Sequence, residues 1–303
     1  MEYTLKKAVI DHVPIIKISA KYYSKLKLAR KILVTAFELE QAYEIILNNF
    51  LDLEKQALGI SSTLSIKVGH QYSEFFELRS ILNTRFANLL ASTRFYLDYT
   101  PQHIQFFNDE DMDFLSLFKK KCSEKYDSHF EYRFMEALRN HAQHHGTVVH
   151  IISPQARWIP EGNHQHLEYS LLIKIKRSQL LENEKFKEAI VNEMPEEVNL
   201  LASTRKYIEA ISEIHVYLRE SISAQVNDAR KTILTSHKKY SQQYKHSLVG
   251  LCAFELQNSI VKSTVPLLLD WDDVRIKLQR SNPKLINLSK RFVTNQIFPT
   301  KKT

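Results

Sequence analysis

The segment of the chain with the clearest chemical potential is the polar end of a predicted helix. At about 100° per residue, Asn140 and His144 fall on one helix face, four positions apart. Arg139 and His144 are five apart, so roughly 140° separates them around the axis of a straight helix. They cannot form a close local pair, but they can flank a common groove, above all if a second copy of the helix lies opposite. We therefore predict Arg139, Asn140 and His144 as catalytic residues, and His141, Gln143 and His145 as substrate-binding residues.

These residue types suit one kind of reaction. An imidazole both accepts and donates a proton near neutral pH, and a guanidinium binds phosphate through two parallel hydrogen bonds. Those are the groups needed to cleave RNA through attack of a ribose 2′-hydroxyl on the neighbouring phosphate. The chain has no glycine-rich loop that could cradle a nucleoside triphosphate, so a nucleotide-driven motor is excluded.

Two other interpretations of the histidines remain open. His141 and His145 are four apart and could chelate a metal ion, but zinc needs further ligands. The nearest are His150, His164 and His166, and no cysteine is near. His145 could also serve only to stabilise the negative end of the helix dipole. We predict neither a metal ion nor a cofactor.

The elements around this segment are predicted to be mostly helices. With 5 glycines and 8 prolines in 303 residues, the chain has too few turn residues for a sheet-rich fold. Apolar residues at three- and four-residue spacing mark the helices, and Gly146 is placed to end the fourth as a left-handed C-cap. The predicted helices are 25–58, 73–99, one from the acidic turn at 108–113 to 125, 128–145, 178–192 and 196–235.

Two short stretches have the pattern of strands instead. Residues 147–153 and 166–176 are β-branched or alternating, and with the loop 154–165 they predict a β-hairpin over 147–176. Residues 64–68 could form one further strand. Arg79, Arg85 and Arg94 fall on the second predicted helix, near whose start Glu77 lies. A polar side chain of this helix could help to complete a cleft beside the reactive segment, although a solvated position is the simpler expectation for each.

Charge is concentrated near the end of the chain. Residues 230–303 hold 14 lysines and arginines against 4 acidic residues, a net charge of +10. The whole chain has a net charge of +8, so the rest of it is slightly acidic. Such an excess suits a polyanion such as RNA, although a solvated charged face has the same pattern. We predict a helical domain over 1–235, including the hairpin, and a basic, helical C-terminal appendage over 236–303.

The remaining composition bears on the location of the protein. No run of about eighteen apolar residues is present, so no membrane-spanning helix and no membrane partner are expected. Cys122 and Cys252 are far apart in sequence and form no zinc or disulfide pattern. A reducing, cytoplasmic environment fits this cysteine usage.

The segment Arg139-Asn140-x-x-x-His144 resembles the Arg-x(4–6)-His motif of the HEPN superfamily (higher eukaryote and prokaryote nucleotide-binding domains), which often has asparagine after the arginine. The resemblance covers residues 25–146, and it explains neither the hairpin nor the basic segment. It implies an all-helical bundle, a metal-independent endoribonuclease and a symmetric homodimer that joins two motifs in one cleft. The resemblance implies that His144 is the general acid or base and that Arg139 holds the phosphate. It also implies that Asn140 orients either the histidine or the phosphate.

The resemblance also implies a biological setting and an alternative. HEPN nucleases commonly act as toxins, with a cognate antitoxin as partner, or as antiviral defence effectors. The alternative is a HEPN-type module without catalysis that binds RNA or mediates dimerisation. The presence of Arg139, Asn140 and His144 together favours the enzyme.

Overall fold

The computed structural model describes residues 1–9, 13–67, 71–107, 112–161, 164–244 and 247–294. Over these residues the protein is mainly α-helical, which confirms the fold class predicted from composition. None of the described helices is long and apolar enough to cross a bilayer. The α-helices are α1 (Ala20–Ile66), α2 (Tyr72–Ile104), α3 (Phe114–Ser128), α4 (Phe130–His144), α5 (Arg177–Leu181), α6 (Glu188–Glu193), α7 (Leu200–Ser221), α8 (Ser223–Gln243) and α9 (Asp270–Ser281). The strands are β1 (Glu2–Lys7), β2 (Ile16–Lys17), β3 (Ile151–Glu161), β4 (His164–Lys176), β5 (Glu197–Asn199), β6 (Leu251–Gln257) and β7 (Ile260–Pro266).

The chain divides into two compact units, each assembled from three stretches of sequence. The helices α1, α2, α3 and α7 contribute residues to both. The domain boundary predicted at 235/236 falls inside α8, which belongs to the first unit. The first unit comprises Met1–Glu54, Asn88–Glu124 and Ile214–Pro283, and the second comprises Lys55–Ala87, Lys125–Glu213 and the chain from Lys284 onward.

The first unit contains a four-stranded antiparallel sheet of order β2-β1-β6-β7. β1 pairs with β6 along its whole length, and Leu5 and Ala253, which face each other in this register, are fully buried. The segment 236–303 was predicted to be helical, so the hairpin β6-β7 corrects that prediction. The apolar residues at the start of β6, such as Leu251 and Ala253, are buried, and this strand pairs with the distant N-terminal strand β1. A local pattern of helical spacing could not indicate that pairing.

A buried polar network joins three helices of this unit. The carboxylate of Glu40 on α1 accepts hydrogen bonds from Arg219 Nε (2.8 Å) and Nη2 (2.7 Å) and from His215 Nε2 (3.1 Å), both on α7. His215 Nδ1 in turn accepts a hydrogen bond from the hydroxyl of Tyr96 on α2, at 3.0 Å. Burial lowers the pKa of His215. Burial alone would raise the pKa of Glu40, but the hydrogen bonds from His215 and Arg219 lower it to about 2.

The second unit carries the predicted β-hairpin, but its first strand begins at Ile151 rather than at 147, and both strands extend further toward the turn than predicted. β3 and β4 are paired from Ile151, which faces Lys174, to Glu161, which faces His164. Most of the predicted loop 154–165 is therefore strand. Pro154 and Pro160 suggested a loop, but β3 is the edge strand of the order β3-β4-β5. An edge strand tolerates proline because the missing N–H can face away from the neighbouring strand.

Three other sequence predictions need correction. The strand at 64–68 is wrong over its first part, because α1 continues through Ile66, while Val68 lies outside the described residues. The helix predicted over 196–235 is β5 followed by α7 and α8, which are separate helices. The helix predicted over 178–192 is the two short helices α5 and α6, and the turn between them matters for the site below.

Candidate functional site

The helix α4 is held in the second unit by the apolar residues of its first half. Phe134, Met135 and Leu138 are fully buried, each contributing about 1.5–3 kcal/mol of burial free energy. Tyr132 also packs edge-on against Tyr207 of α7, with ring centroids 5.3 Å apart. The C-terminal turn of α4 therefore extends from a part of the helix that is packed in place.

A salt bridge connects α4 to α6. Arg133 Nη2 lies 2.5 Å from Glu193 Oε1, and Arg133 Nη1 donates to the carbonyl of Tyr126 at 2.6 Å. The salt bridge therefore holds the C-terminal end of α6 against the first half of α4.

The helix ends without the predicted left-handed glycine. The carbonyl of His141 accepts hydrogen bonds from the backbone N–H groups of His145 (2.9 Å) and Gly146 (3.1 Å). His145 leaves the helix with φ −131°, and among the described residues the positive φ angles occur elsewhere, Gly250 being the glycine that has one. The C-cap predicted at Gly146 is wrong, because the shared His141 carbonyl closes the last turn instead.

The polar end of α4 forms one wall of a groove of about 630 Å³. The opposite wall is the turn between α5 and α6. No aspartate or glutamate is among the described residues that line this groove, which we call the basic groove. Its polar lining residues are Asn140, His141, His144, His145, Asn183, Lys185 and Lys187.

One asparagine fixes the position of the basic turn relative to α4. Asn183 Oδ1 accepts the backbone N–H of Lys185 at 3.0 Å, so its Nδ2 is the atom that faces His141. This Nδ2 lies 3.1 Å from His141 Nδ1, which must therefore be the unprotonated ring nitrogen. Lys187 is also held, because its Nζ donates to the hydroxyl of Tyr126 at 2.9 Å. The groove is thus assembled by specific hydrogen bonds.

The three predicted catalytic residues are placed differently from one another. Asn140 and His144 are exposed and line the groove together, as expected from their spacing. Arg139 is absent from the lining, but its Nη1 donates to Asn140 Oδ1 at 2.7 Å. Its Nε is buried and makes no hydrogen bond with a described residue. An unsatisfied buried donor costs about 1–3 kcal/mol, so this guanidinium would gain from an added acceptor.

The predicted substrate-binding residues are also separated by the structure. His145 is exposed and lines the groove, and Gln143 is exposed but lies outside its lining. His141 is buried, with 6% of its surface exposed. Burial lowers the pKa of His141, in spite of a hydrogen bond to the Thr147 backbone. Its role in the groove is accordingly to hold Asn183.

A second cleft, of about 770 Å³, lies on the other side of the last turn of α4. Its walls come from α2, from the chain 146–150 that follows α4, and from α5. His141, His145 and Asn183 line both this cleft and the basic groove. We call it the α2–α4 cleft.

The metal interpretation gains no further ligands in the part of the chain that the structure describes. There, no three His, Cys, Asp or Glu side chains converge as metal ligands would. His150 uses both ring nitrogens, since Nδ1 accepts the backbone N–H of Lys176 at 3.1 Å and Nε2 lies 3.1 Å from the Thr147 carbonyl. The side chain of His164 lies outside the described residues.

Sequence reasoning did not identify Asn183, Lys185 or Lys187. They lie within a stretch whose apolar spacing resembles one continuous helix, so no break was predicted there. The available signal was the polar run Asn183-Glu184-Lys185, since asparagine favours a turn in which its side chain bonds the backbone two residues on.

Comparison of the chain with known protein families, with curated proteins and with solved structures finds no match.

Proposed function

We propose that the protein is a metal-independent endoribonuclease that cleaves RNA through attack of the 2′-hydroxyl. The observation that carries this proposal is the composition of the basic groove. It collects two exposed histidines, one exposed asparagine and two lysines, and no carboxylate is among the described residues that line it. Such a groove attracts a phosphodiester, and it lacks the acidic cluster that a magnesium-dependent nuclease needs.

The reaction requires one proton acceptor and one proton donor. His144 takes the proton of the 2′-hydroxyl as the 2′-oxygen attacks phosphorus, and the bond from phosphorus to the 5′-oxygen breaks. The leaving 5′-oxygen takes a proton from the imidazolium of a second histidine, which is His144 of the other copy in the homodimer proposed below. The products are a 2′,3′-cyclic phosphate and a 5′-hydroxyl. The RNA supplies the nucleophile, and no covalent enzyme intermediate forms.

The cations of the groove stabilise the charge that develops on the phosphate. Lys187 is oriented by Tyr126, while Lys185 stands on the turn held by Asn183. Arg139 already touches Asn140, and its unsatisfied Nε favours reorientation toward a phosphate oxygen. Preorganised donors at a developing charge supply the largest share of catalysis in many enzymes.

The resemblance to the HEPN superfamily supports the same proposal and adds a homodimer. Arg139 does not reach the groove lining beside His144 within one chain. A second copy packed against the end of α4 would bring two arginines and two histidines around one cleft, so that one His144 acts as base and the other as acid. A toxin or antiviral role, with an antitoxin as regulator, follows from the resemblance as part of the proposal.

One observation favours a second function, a non-catalytic RNA-binding or dimerisation module. The guanidinium of Arg139 is engaged with Asn140 rather than directed into the groove. A groove with Lys185 and Lys187 can bind RNA without cleaving it.

Analysis of the products separates the two functions. The purified protein is incubated with a short single-stranded RNA, and the fragments are identified by mass spectrometry. The proposal predicts fragments that end in a 2′,3′-cyclic phosphate and begin with a 5′-hydroxyl. Binding of intact RNA, or fragments with a 3′-hydroxyl and a 5′-phosphate, would contradict it.

A further inference from the structure

The last turn of α4 separates two clefts of different chemical character. The basic groove, with Lys185 and Lys187, has no carboxylate in its described lining. The α2–α4 cleft contains the carboxylate of Glu182 and an exposed aromatic ring, Phe76. Because His145 lines both, a chain bound in the groove can extend one group into the cleft.

Phe76 lines the α2–α4 cleft from α2, with 55% of its surface exposed and thus available to a ligand. Arg79 follows one turn later, and its guanidinium lies 5.8 Å from the centre of the Phe76 ring. An aromatic ring and a guanidinium on neighbouring positions of a helix form a platform on which a flat ring can stack.

The inner wall of the cleft is preformed. Asn83 Oδ1 accepts the backbone N–H groups of Val148 (2.8 Å) and Val149 (2.9 Å), which joins α2 to the chain that follows α4. Burial lowers the pKa of both His141 and His150. Their imidazoles are therefore neutral at pH 7, and this wall presents no cation to a phosphate.

The mouth of the cleft offers an uncharged hydrogen-bonding group. Gln179 is exposed, and its amide makes no hydrogen bond with another described residue. A free amide can both donate and accept, as the edge of a nucleobase requires. Glu182, also in the lining, repels a phosphate and can accept a hydrogen bond from a base amino group. A flat ring with a polar edge can use the Phe76 ring, the Gln179 amide and the Glu182 carboxylate together, whereas a phosphate could use Arg79 but would be repelled by Glu182.

We propose that the α2–α4 cleft is a nucleobase subsite that holds one unpaired base next to the phosphate bound in the basic groove. Phe76 and Arg79 are the stacking platform, and Gln179 contacts the base edge. The position of the phosphate rests on the proposed function. The volume of about 770 Å³ is within the range of small-molecule sites and accommodates one base with its ribose.

The test is a binding measurement on RNA that cannot be cleaved. Single-stranded 12-mers carry 2′-O-methyl groups throughout, and one nucleotide at a time is replaced by an abasic residue. Affinities are measured by fluorescence anisotropy for the wild type, Phe76→Ala, Phe76→Trp and the control Phe95→Ala, which removes another exposed phenylalanine of α2. Circular dichroism and thermal unfolding verify that each variant is folded.

The subsite predicts a specific pattern of affinities. Phe76→Ala should weaken binding about tenfold, as expected for loss of one stacked base, while Phe76→Trp and Phe95→Ala should bind like the wild type. One abasic position should weaken binding to the wild type by a similar factor and have little further effect on Phe76→Ala. The proposal is overturned if Phe76→Ala binds like Phe95→Ala, or if its loss is the same for every abasic RNA.

These outcomes are independent of catalysis. If the wild type does not cleave ordinary RNA but shows the pattern above, the nuclease proposal fails and the subsite stands. If the wild type cleaves RNA and Phe76→Ala is indistinguishable from Phe95→Ala in both binding and cleavage, the subsite fails and the nuclease stands.

Preference for the base gives a second readout. Gln179→Ala should change the relative kcat/KM for RNAs that differ only in the base next to the cleaved bond. Gln155→Ala should not, because Gln155 is an exposed glutamine that lines neither cleft. Equal preference in the wild type and Gln179→Ala would remove Gln179 from the subsite.

Discussion

Asn183 and His141 form the hydrogen bond that joins the two walls of the basic groove, Nδ2 to Nδ1 at 3.1 Å. Asn183 reaches back to the N–H of Lys185 through its other amide atom, so a single side chain sets the distance between α4 and the basic turn. The site therefore depends on a residue that contacts no reacting atom.

Replacing Asn183 tests this positioning role. Asn183→Ala removes both hydrogen bonds and leaves the buried Nδ1 of His141 without a donor, which should lower the free energy of unfolding by about 1–3 kcal/mol. Because Lys185 is then no longer held, kcat/KM for RNA should also fall. Urea denaturation and initial rates measure the two effects. The exposed Asn192→Ala is the matched control, and equal behaviour of the two variants would contradict the positioning role.

Lys185 is predicted to contribute one phosphate contact. Lys185→Ala should weaken RNA binding and reduce the slope of log affinity against log salt by about 0.7, the value for one contact to a single strand. Lys55→Ala removes an exposed lysine of the same unit outside the groove and should leave the slope unchanged. Titrations between about 50 and 300 mM salt measure it, and parallel slopes for Lys185→Ala and wild type would exclude this contact.

His215 should make stability depend on pH. Its pKa is lowered in the folded protein by burial, so below about pH 6.5, its ordinary pKa, the unfolded chain binds more protons than the folded one. The free energy of unfolding should therefore decrease as pH falls from 7.5 to 5.5, by up to about 1.4 kcal/mol per pH unit for one proton. His215→Gln should reduce this slope by the share of one histidine, since burial also lowers the pKa of His141 and of His150. The control His144→Ala, which removes an exposed histidine, should leave the slope unchanged. A slope unaltered by His215→Gln would contradict the assignment.

The homodimer is tested by sedimentation and by mixing the wild type with an inactive variant. At micromolar concentration the protein should sediment as a dimer, with an interface that includes 139–144. If both copies contribute a His144 to one cleft, an excess of the inactive His144→Ala should suppress wild-type activity after subunit exchange, because a mixed dimer has only one His144. A protein that sediments only as a monomer and retains activity would exclude the shared cleft.

The half of the site on α4 could be predicted because it depends on local periodicity. The four-residue spacing of Asn140 and His144 places both in one groove wherever the helix packs. The apolar residues of the first half, such as Phe134, identified the buried face of the same helix.

The other half could not be predicted because it depends on a turn and on distant pairings. The break between α5 and α6 arises from hydrogen bonds of Asn183 to Lys185 and to His141, 42 positions away. The sheet of the first unit likewise joins Leu5 to Ala253, a pairing that no local pattern reports. We predicted that Arg139 would act beside His144. Its guanidinium instead donates a hydrogen bond to the side chain of the neighbouring Asn140, and Arg139 is absent from the groove lining.

RNA cleavage in the presence of a chelator is the most direct test of the proposed nuclease. Wild-type protein, His144→Ala, Arg139→Ala and the control Gln155→Ala are incubated with single-stranded RNA in excess EDTA, and the same sequence as DNA is run in parallel. We expect cleavage of RNA and not of DNA by the wild type and Gln155→Ala, whose exposed glutamine lines neither cleft. Activity should be abolished in His144→Ala and nearly so in Arg139→Ala, all four proteins being equally stable. Cleavage that requires a divalent ion, or that continues at the wild-type rate in His144→Ala, would contradict the proposal.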